Sequence, residues 1–95
     1  MMRNNSYISI SIVGDSQMQK LNKKHLDKDH TTDVLSFNMD ELRDDGVYYI
    51  GDVIVNADQA RRQAAQYKNT FEEEISQLAA HGILHLLGVH HAGDE

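Results

Sequence analysis

Histidines of the last fifteen residues carry the clearest chemical signal in this sequence. Three of them follow the spacing H-x-x-x-H-x-x-G-x-x-H, as His81, His85 and His91. On a helix, residues four apart stack on one side, so His81 and His85 can face a single ion. A turn at Gly88 can then return His91 as a third ligand. Three imidazoles with one open position are typical of catalytic zinc. The sequence therefore predicts one Zn²⁺ per chain held by His81, His85 and His91.

Two alternatives bear on this motif. A histidine on an apolar helix is often a hydrogen-bonded core residue, but the fixed offsets of Gly88 and His91 favour metal binding. The adjacent His90 could compete for the third position, although the spacing from Gly88 favours His91. Metzincin proteases have a glutamate general base where this chain has Gly82. Glycine cannot transfer a proton, so peptide hydrolysis by that mechanism is disfavoured.

Length and composition limit the possible functions. Ninety-five residues predict one small domain over residues 1–95, and the absence of cysteine leaves histidine, carboxylate or backbone oxygen as metal ligands. The net charge of −6 argues against generic binding of nucleic acid, but it does not exclude a locally basic cleft. No apolar run approaches the length of a membrane span and no apolar leader opens the chain. We therefore expect a cytoplasmic protein with no membrane partner.

Hydrophobic periodicity predicts three strands and three helices. Residues 7–13 alternate isoleucine with serine, which indicates a half-buried strand. Residues 34–39 and 47–55 predict a hairpin around an acidic turn, with a bulge or close backbone approach at Gly51-Asp52. A first helix should be capped by Asp15 or Ser16 and fade near residues 25–29. Two more are expected, over residues 56–67 and from a capping box at Thr70–Glu73 to about Leu87. The last is apolar almost all round beyond Leu78, which predicts a central buried helix.

Three sequence blocks resemble one protein family. The segment HGILHLLGVHH, residues 81–91, is similar to the H-G-x-L-H-L-x-G-x-D-H signature of the YbeY family of bacterial rRNA maturation factors. Residues 18–22 and 28–37 resemble its N-x-x-x-x-x-K-D-x-x-T-D-V-L-S-F stretch, and residues 51–55 resemble its G-D-I-V-I strand. The likeness covers nearly the whole chain in one order. It implies an α+β fold, in which a small mixed sheet packs with helices around a central zinc-binding helix.

The resemblance also implies a function. Family members are metal-dependent, single-strand-specific endoribonucleases of 16S rRNA 3′-end processing and ribosome quality control. The expected partners are single-stranded RNA or rRNA and ribosomal proteins or a ribosome-associated GTPase. No residue is assigned a catalytic proton-transfer role. Lys24, Lys28 and Ser36 are candidate substrate contacts, and Asp33 is either a cleft residue or a turn residue.

The chain departs from the family pattern at three points. Leu26 stands where the family usually has an arginine that is thought to hold substrate phosphate, and His90 replaces an aspartate. Family members usually run longer at both ends. These departures suggest weak activity and keep two alternatives open. One is a non-catalytic, metal-stabilised module that binds the ribosome, and the other is a metallohydrolase with a different substrate.

Overall fold

A computed structural model describes residues 5–88, which form three strands and three helices. In chain order these are β1 (Ser6–Val13), α1 (Asp15–Leu26), β2 (Val34–Leu42), β3 (Tyr48–Asn56), α2 (Ala57–Tyr67) and α3 (Phe71–Leu86). The element types and their order agree with the sequence prediction. His90 and His91 lie outside the described residues.

The three strands form one mixed sheet in the order β1-β3-β2. β1 runs parallel to β3, and β2 pairs antiparallel with β3 as the predicted hairpin. Both pairings shift register opposite Ile50, beside the predicted irregularity at Gly51. A Cβ atom at Gly51 would collide with the carbonyl oxygen of Phe37, so the expected close backbone approach is also confirmed. The fold is α+β, as predicted.

The main core lies between the sheet and the helices α2 and α3. Val53 and Val55 of β3 are fully buried there, against Ala60 of α2 and the α3 residues Leu78 and Leu86. Packing of these side chains buries a continuous apolar surface, and this burial is the principal stabilising contribution in a domain of this size. This packing fixes α3 across the sheet.

Two expectations about burial are wrong. Ile10 and Ile12 are 49% and 57% exposed, although their register partners Val53 and Val55 are fully buried. The reason is that α3 packs over β2 and β3 rather than over β1. Helix α3 is not buried all round either, because Leu84 and Leu87 are 36% and 46% exposed. Its buried residues form one stripe with four-residue spacing, at Glu74, Leu78, Gly82 and Leu86.

The start of α1 also differs from its prediction. The N-cap is Gly14, which has no side chain to accept a hydrogen bond from the first turn. Instead the backbone N–H of Asp15 donates to the Asp58 carboxylate at 2.9 Å, from 43 residues further along the chain. A free N–H in a first helical turn needs an acceptor, and here a distant element supplies it. The capping box of α3 is present as predicted, between Thr70 and Glu73.

Candidate metal centre

Helix α3 places His81 and His85 next to each other. They are separated by one helical turn, and their ring centroids lie 4.5 Å apart with planes tilted by 47°. Each precedes a buried residue of the α3 stripe, Gly82 and Leu86 respectively, so the two rings lie along one edge of that stripe. Both side chains are half-buried, and the Nε2 atom of His85 is fully enclosed. The sequence predicted this pairing of His81 with His85.

Gly82 sets the distance between α3 and the sheet. A Cβ atom on this residue would lie 2.6 Å from Val53 Cγ1 and 3.1 Å from Ser36 Oγ. Glycine is therefore required for this close approach rather than for an unusual backbone angle. The Ser36 hydroxyl donates to the Gly82 carbonyl oxygen at 3.1 Å, and the Asn38 amide donates to the Leu86 carbonyl oxygen at 3.1 Å. These two bonds tie the histidine-bearing turns of α3 to β2.

The histidine pair opens onto a cleft of about 390 Å³. One wall is α3, with His81 and His85, and the other is formed by the end of α1 and the segment that leads into β2. Among the residues of this second wall are Leu26, Lys28, His30, Asp33 and Ser36. A cleft that combines imidazoles, a lysine, a carboxylate and a hydroxyl has the chemistry to hold a cation and a polar ligand together.

The segment of residues 27–33 is held in place by two buried asparagines. Asn56, which is fully buried, donates to Thr31 Oγ1 at 2.9 Å and to the Thr32 carbonyl oxygen at 3.0 Å. Asn22, which is 2% exposed, donates to the His30 carbonyl oxygen at 3.0 Å. Buried polar groups that are satisfied in this way fix a single arrangement of the backbone. The cleft wall is therefore set by the core of the domain.

Asp15 completes the network behind this wall. Arg62 approaches both of its carboxylate oxygens, at 2.8 and 2.9 Å, and Asn56 donates to it at 2.7 Å. The hydrogen bond from Arg62, followed by that from Asn56, lowers the pKa of Asp15 to about 2. A carboxylate that accepts several charge-assisted bonds stays ionised well into acid. Its function in the structure is to link α1, α2 and the 27–33 segment.

The structure separates the predicted substrate contacts. Lys28 and Ser36 line the histidine cleft, and so does Asp33, whose carboxylate accepts a hydrogen bond from Gln63 at 3.3 Å. Lys24 instead lines a different depression, of about 650 Å³, on another side of α1. Both lysines were predicted as substrate contacts, but only Lys28 lines the histidine cleft. The helix ends between them at Asp27, which has a positive φ and redirects the chain.

His30 is the cleft residue that the sequence did not single out. It lies 51 positions before His81 in the chain, yet both line the same cavity. No local motif marks it, because its position depends on Asn22 and on the contact between the 27–33 segment and the core. His25 lies on α1 with its ring 5.0 Å from that of Phe37, and it is not among the cleft-lining residues.

The residues present fit a zinc ion in part. Two imidazoles one helical turn apart, with one ring nitrogen enclosed, form a pair of donors suited to Zn²⁺. Within residues 5–88 no group of three histidines, cysteines or carboxylates is close enough to hold a metal. A zinc ion with three protein ligands would therefore need one from outside that range, and the predicted third ligand, His91, lies outside it. Over the same residues, no helix is long and apolar enough to cross a membrane.

Comparisons with known proteins point in one direction. The family model for Endoribonuclease YbeY matches residues 1–95. Curated proteins of that name from Exiguobacterium sibiricum and Aquifex aeolicus are 42% and 44% identical to the chain and cover 92% and 93% of it. A solution structure from Thermotoga maritima aligns with a TM-score of 0.65 and 32% identity over 92% of the chain. The chain spans 61% and 58% of the two curated relatives and 55% of the solved structure.

Proposed function

Because the chain belongs to the Endoribonuclease YbeY family, we propose that it is a zinc-dependent endoribonuclease that cleaves single-stranded RNA. The proposal extends to a cytoplasmic role in 16S rRNA 3′-end maturation and ribosome quality control, with ribosomal proteins or a ribosome-associated GTPase as partners. The observation that carries it is that His81 and His85 lie side by side and face Lys28 across one cleft. Such a cleft can take a metal ion and a phosphodiester together.

The ligands of the proposed zinc ion are His81, His85 and His91. When bound, zinc supplies Lewis acidity for hydrolysis of a phosphodiester. Lys28 would neutralise a substrate phosphate, and none of the four ion pairs found among residues 5–88 involves it. The Ser36 hydroxyl already donates to Gly82, so its oxygen is available to the cleft as an acceptor.

Gly82 supports a phosphodiester as the substrate rather than a peptide. It occupies the position after His81 where a zinc protease has its general base, and the tight contact with Val53 leaves no room for a side chain there. Phosphoryl transfer depends mainly on positioning and on neutralisation of charge, so it requires less from a single base. The site is therefore better suited to a phosphodiester.

A second function is favoured by Leu26. This residue lines the cleft and is 46% exposed, where a phosphate-binding site would benefit from a cation. A non-catalytic, metal-stabilised module that binds the ribosome would tolerate an apolar residue there. A metallohydrolase with a different substrate would also tolerate it.

Cleavage of a fluorescent single-stranded RNA by the zinc-loaded, tag-free chain tests the proposal. We expect cleavage of this RNA, little cleavage of the same sequence in a duplex, and no cleavage after chelation. His85→Ala should lose the activity, whereas His25→Ala should keep it because His25 lies outside the cleft. Zinc binding without cleavage would contradict the nuclease proposal and favour the binding module. Cleavage of other phosphodiesters but not of RNA would favour a metallohydrolase with a different substrate.

A further inference from the structure

The hydrogen bond of His30 determines which of its ring nitrogens can meet a ligand. The Nδ1 atom lies 2.9 Å from the carbonyl oxygen of Thr31. Because a carbonyl oxygen only accepts, this contact requires a proton on Nδ1. The Asn22 amide is 3.5 Å from the same nitrogen and bonds instead to the His30 carbonyl oxygen at 3.0 Å. In a neutral imidazole with its proton on Nδ1, the Nε2 atom carries the lone pair and accepts.

The position of His30 is fixed from both sides. Asn22 holds its carbonyl oxygen, and the next residue, Thr31, is held through its hydroxyl by Asn56. Buried groups thus set the backbone at His30, while its exposed ring is held by the contact between Nδ1 and the Thr31 carbonyl oxygen. Preorganisation of this kind reduces the entropy lost when a ligand binds.

The carboxylates near His30 bond to other residues, whereas Lys28 shares its wall of the cleft. Asp29 accepts from Gln19 at 3.0 Å and pairs with Lys23 at 3.8 Å, and Asp33 accepts from Gln63. The hydrogen bond from Gln19 lowers the pKa of Asp29, and the charge of Lys23 contributes to the shift. Lys28 lies on the same wall as His30, and His81 and His85 face it across the cavity.

A hydrogen-bond acceptor selects for donors on its ligand. Phosphate oxygens of a single strand cannot donate, whereas the ribose 2′-hydroxyl can, and this hydroxyl also distinguishes RNA from DNA. We infer that His30 is a specificity-determining residue, whose Nε2 accepts a hydrogen bond from a ribose 2′-hydroxyl of the strand bound in the cleft. The inference rests on the proposed function for its substrate class, single-stranded RNA.

Binding of three oligonucleotides with one base sequence tests this inference. They carry ribose, 2′-deoxyribose or 2′-O-methylribose. Fluorescence anisotropy is measured with a chelator present, so that the ribose strand is not cleaved, at pH 8, where histidine is ordinarily neutral. A gel confirms that each strand stays intact during the measurement. The parent chain should bind the ribose strand about fivefold more tightly than the other two, as one neutral hydrogen bond predicts. His30→Ala should bind all three with the weaker affinity.

Further variants separate the possible roles of the ring. His30→Gln offers an amide oxygen as acceptor and should keep part of the preference for ribose. His30→Lys can only donate and should lose that preference. His25→Ala, a histidine outside the cleft, should match the parent chain.

Three results would overturn the inference. One is an unchanged preference for ribose in His30→Ala. Another is an equal loss of affinity for all three strands with a lower melting temperature, which would mean that His30 only holds the loop. Tight binding by His30→Lys without a preference for ribose in the parent would show that the ring contacts phosphate instead. These outcomes are independent of cleavage, so a chain that binds RNA without cutting it would contradict the nuclease proposal alone.

Discussion

The hydroxyl of Ser36 on β2 donates a hydrogen bond to the carbonyl oxygen of Gly82 on α3, at 3.1 Å. This bond joins the strand that borders the cleft to the helix that carries His81 and His85. It forms at the point where α3 lies closest to the sheet, since a Cβ atom at Gly82 would lie 2.6 Å from Val53 Cγ1. The part of α3 that carries the two histidines is therefore positioned by close backbone approach as well as by side-chain packing.

Replacement of Gly82 by alanine should destabilise the domain. The higher helix propensity of alanine should stabilise the folded state by about 1 kcal/mol. Crowding in a packed core typically destabilises it by about 1–3 kcal/mol. Val53 is fully buried and cannot move aside, so crowding should outweigh propensity. Urea denaturation of Gly82→Ala and of the parent measures the difference. Ala80→Gly, at an exposed position of α3, serves as a control for propensity alone. A Gly82→Ala variant more stable than the parent would show that the contact is loose.

Acid should weaken the network around Asp15 through a specific ion pair. Arg62 holds the folded-state pKa of Asp15 at about 2, below its ordinary value of 3.8. A lowered pKa contributes stability that is present above pH 4 and is lost as pH falls towards 2. The parent should therefore lose more stability between pH 5 and 2.5 than Arg62→Gln does, in urea titrations with a chelator present. Arg61→Gln removes an exposed arginine of the same helix and should behave like the parent. Equal acid sensitivity in Arg62→Gln would contradict the assignment.

Arginine at position 26 should increase cleavage of single-stranded RNA. Leu26 lines the cleft and is 46% exposed, so a guanidinium can replace it without entering the core. A guanidinium can donate two parallel hydrogen bonds to one phosphate. We expect the cleavage rate to rise at least about tenfold, since removal of one positioned donor commonly lowers a rate by that factor or more. The rate, zinc content and melting temperature are measured on one preparation. Leu42→Arg adds the same charge at an exposed position of β2 outside the cleft. A stable, zinc-loaded Leu26→Arg with no gain would favour the binding module.

The identity of the third ligand can be tested directly. The spacing of the motif predicts His91, rather than its neighbour His90, as the third ligand beside His81 and His85. Adjacent residues on a turn point in different directions, so only one of the pair should matter. Zinc content should be lost in His91→Ala and kept in His90→Ala. The reverse pattern would show that the motif had been assigned to the wrong histidine.

Local patterns predicted the elements of this fold well. The alternation of isoleucine and serine in β1 and the Thr70–Glu73 capping box act within a few residues, so their outcome can be inferred from sequence alone. The i, i+4 spacing that brings His81 and His85 together is equally local. Their contact follows from helical geometry and needs no knowledge of the rest of the chain.

Most of the failures involve contacts between distant residues. Exposure of Ile10 depends on where α3 crosses the sheet, and the acceptor for the first turn of α1 is Asp58 in α2. Lys24 and Lys28 separate because the chain turns at Asp27. His30 reaches the cleft through hydrogen bonds to asparagines in other elements. No pattern in a short window records such contacts, so the second wall of the site could not be built from sequence.

The central claim is that the histidine pair of α3 binds a metal ion, and zinc content of protein purified without a histidine tag tests it most directly. Mass spectrometry of the parent chain should give one equivalent of zinc per chain. His81→Ala and His85→Ala should fall close to zero, while His25→Ala and His30→Ala should keep the full equivalent. Retention of one equivalent of zinc by His85→Ala would contradict the proposed site.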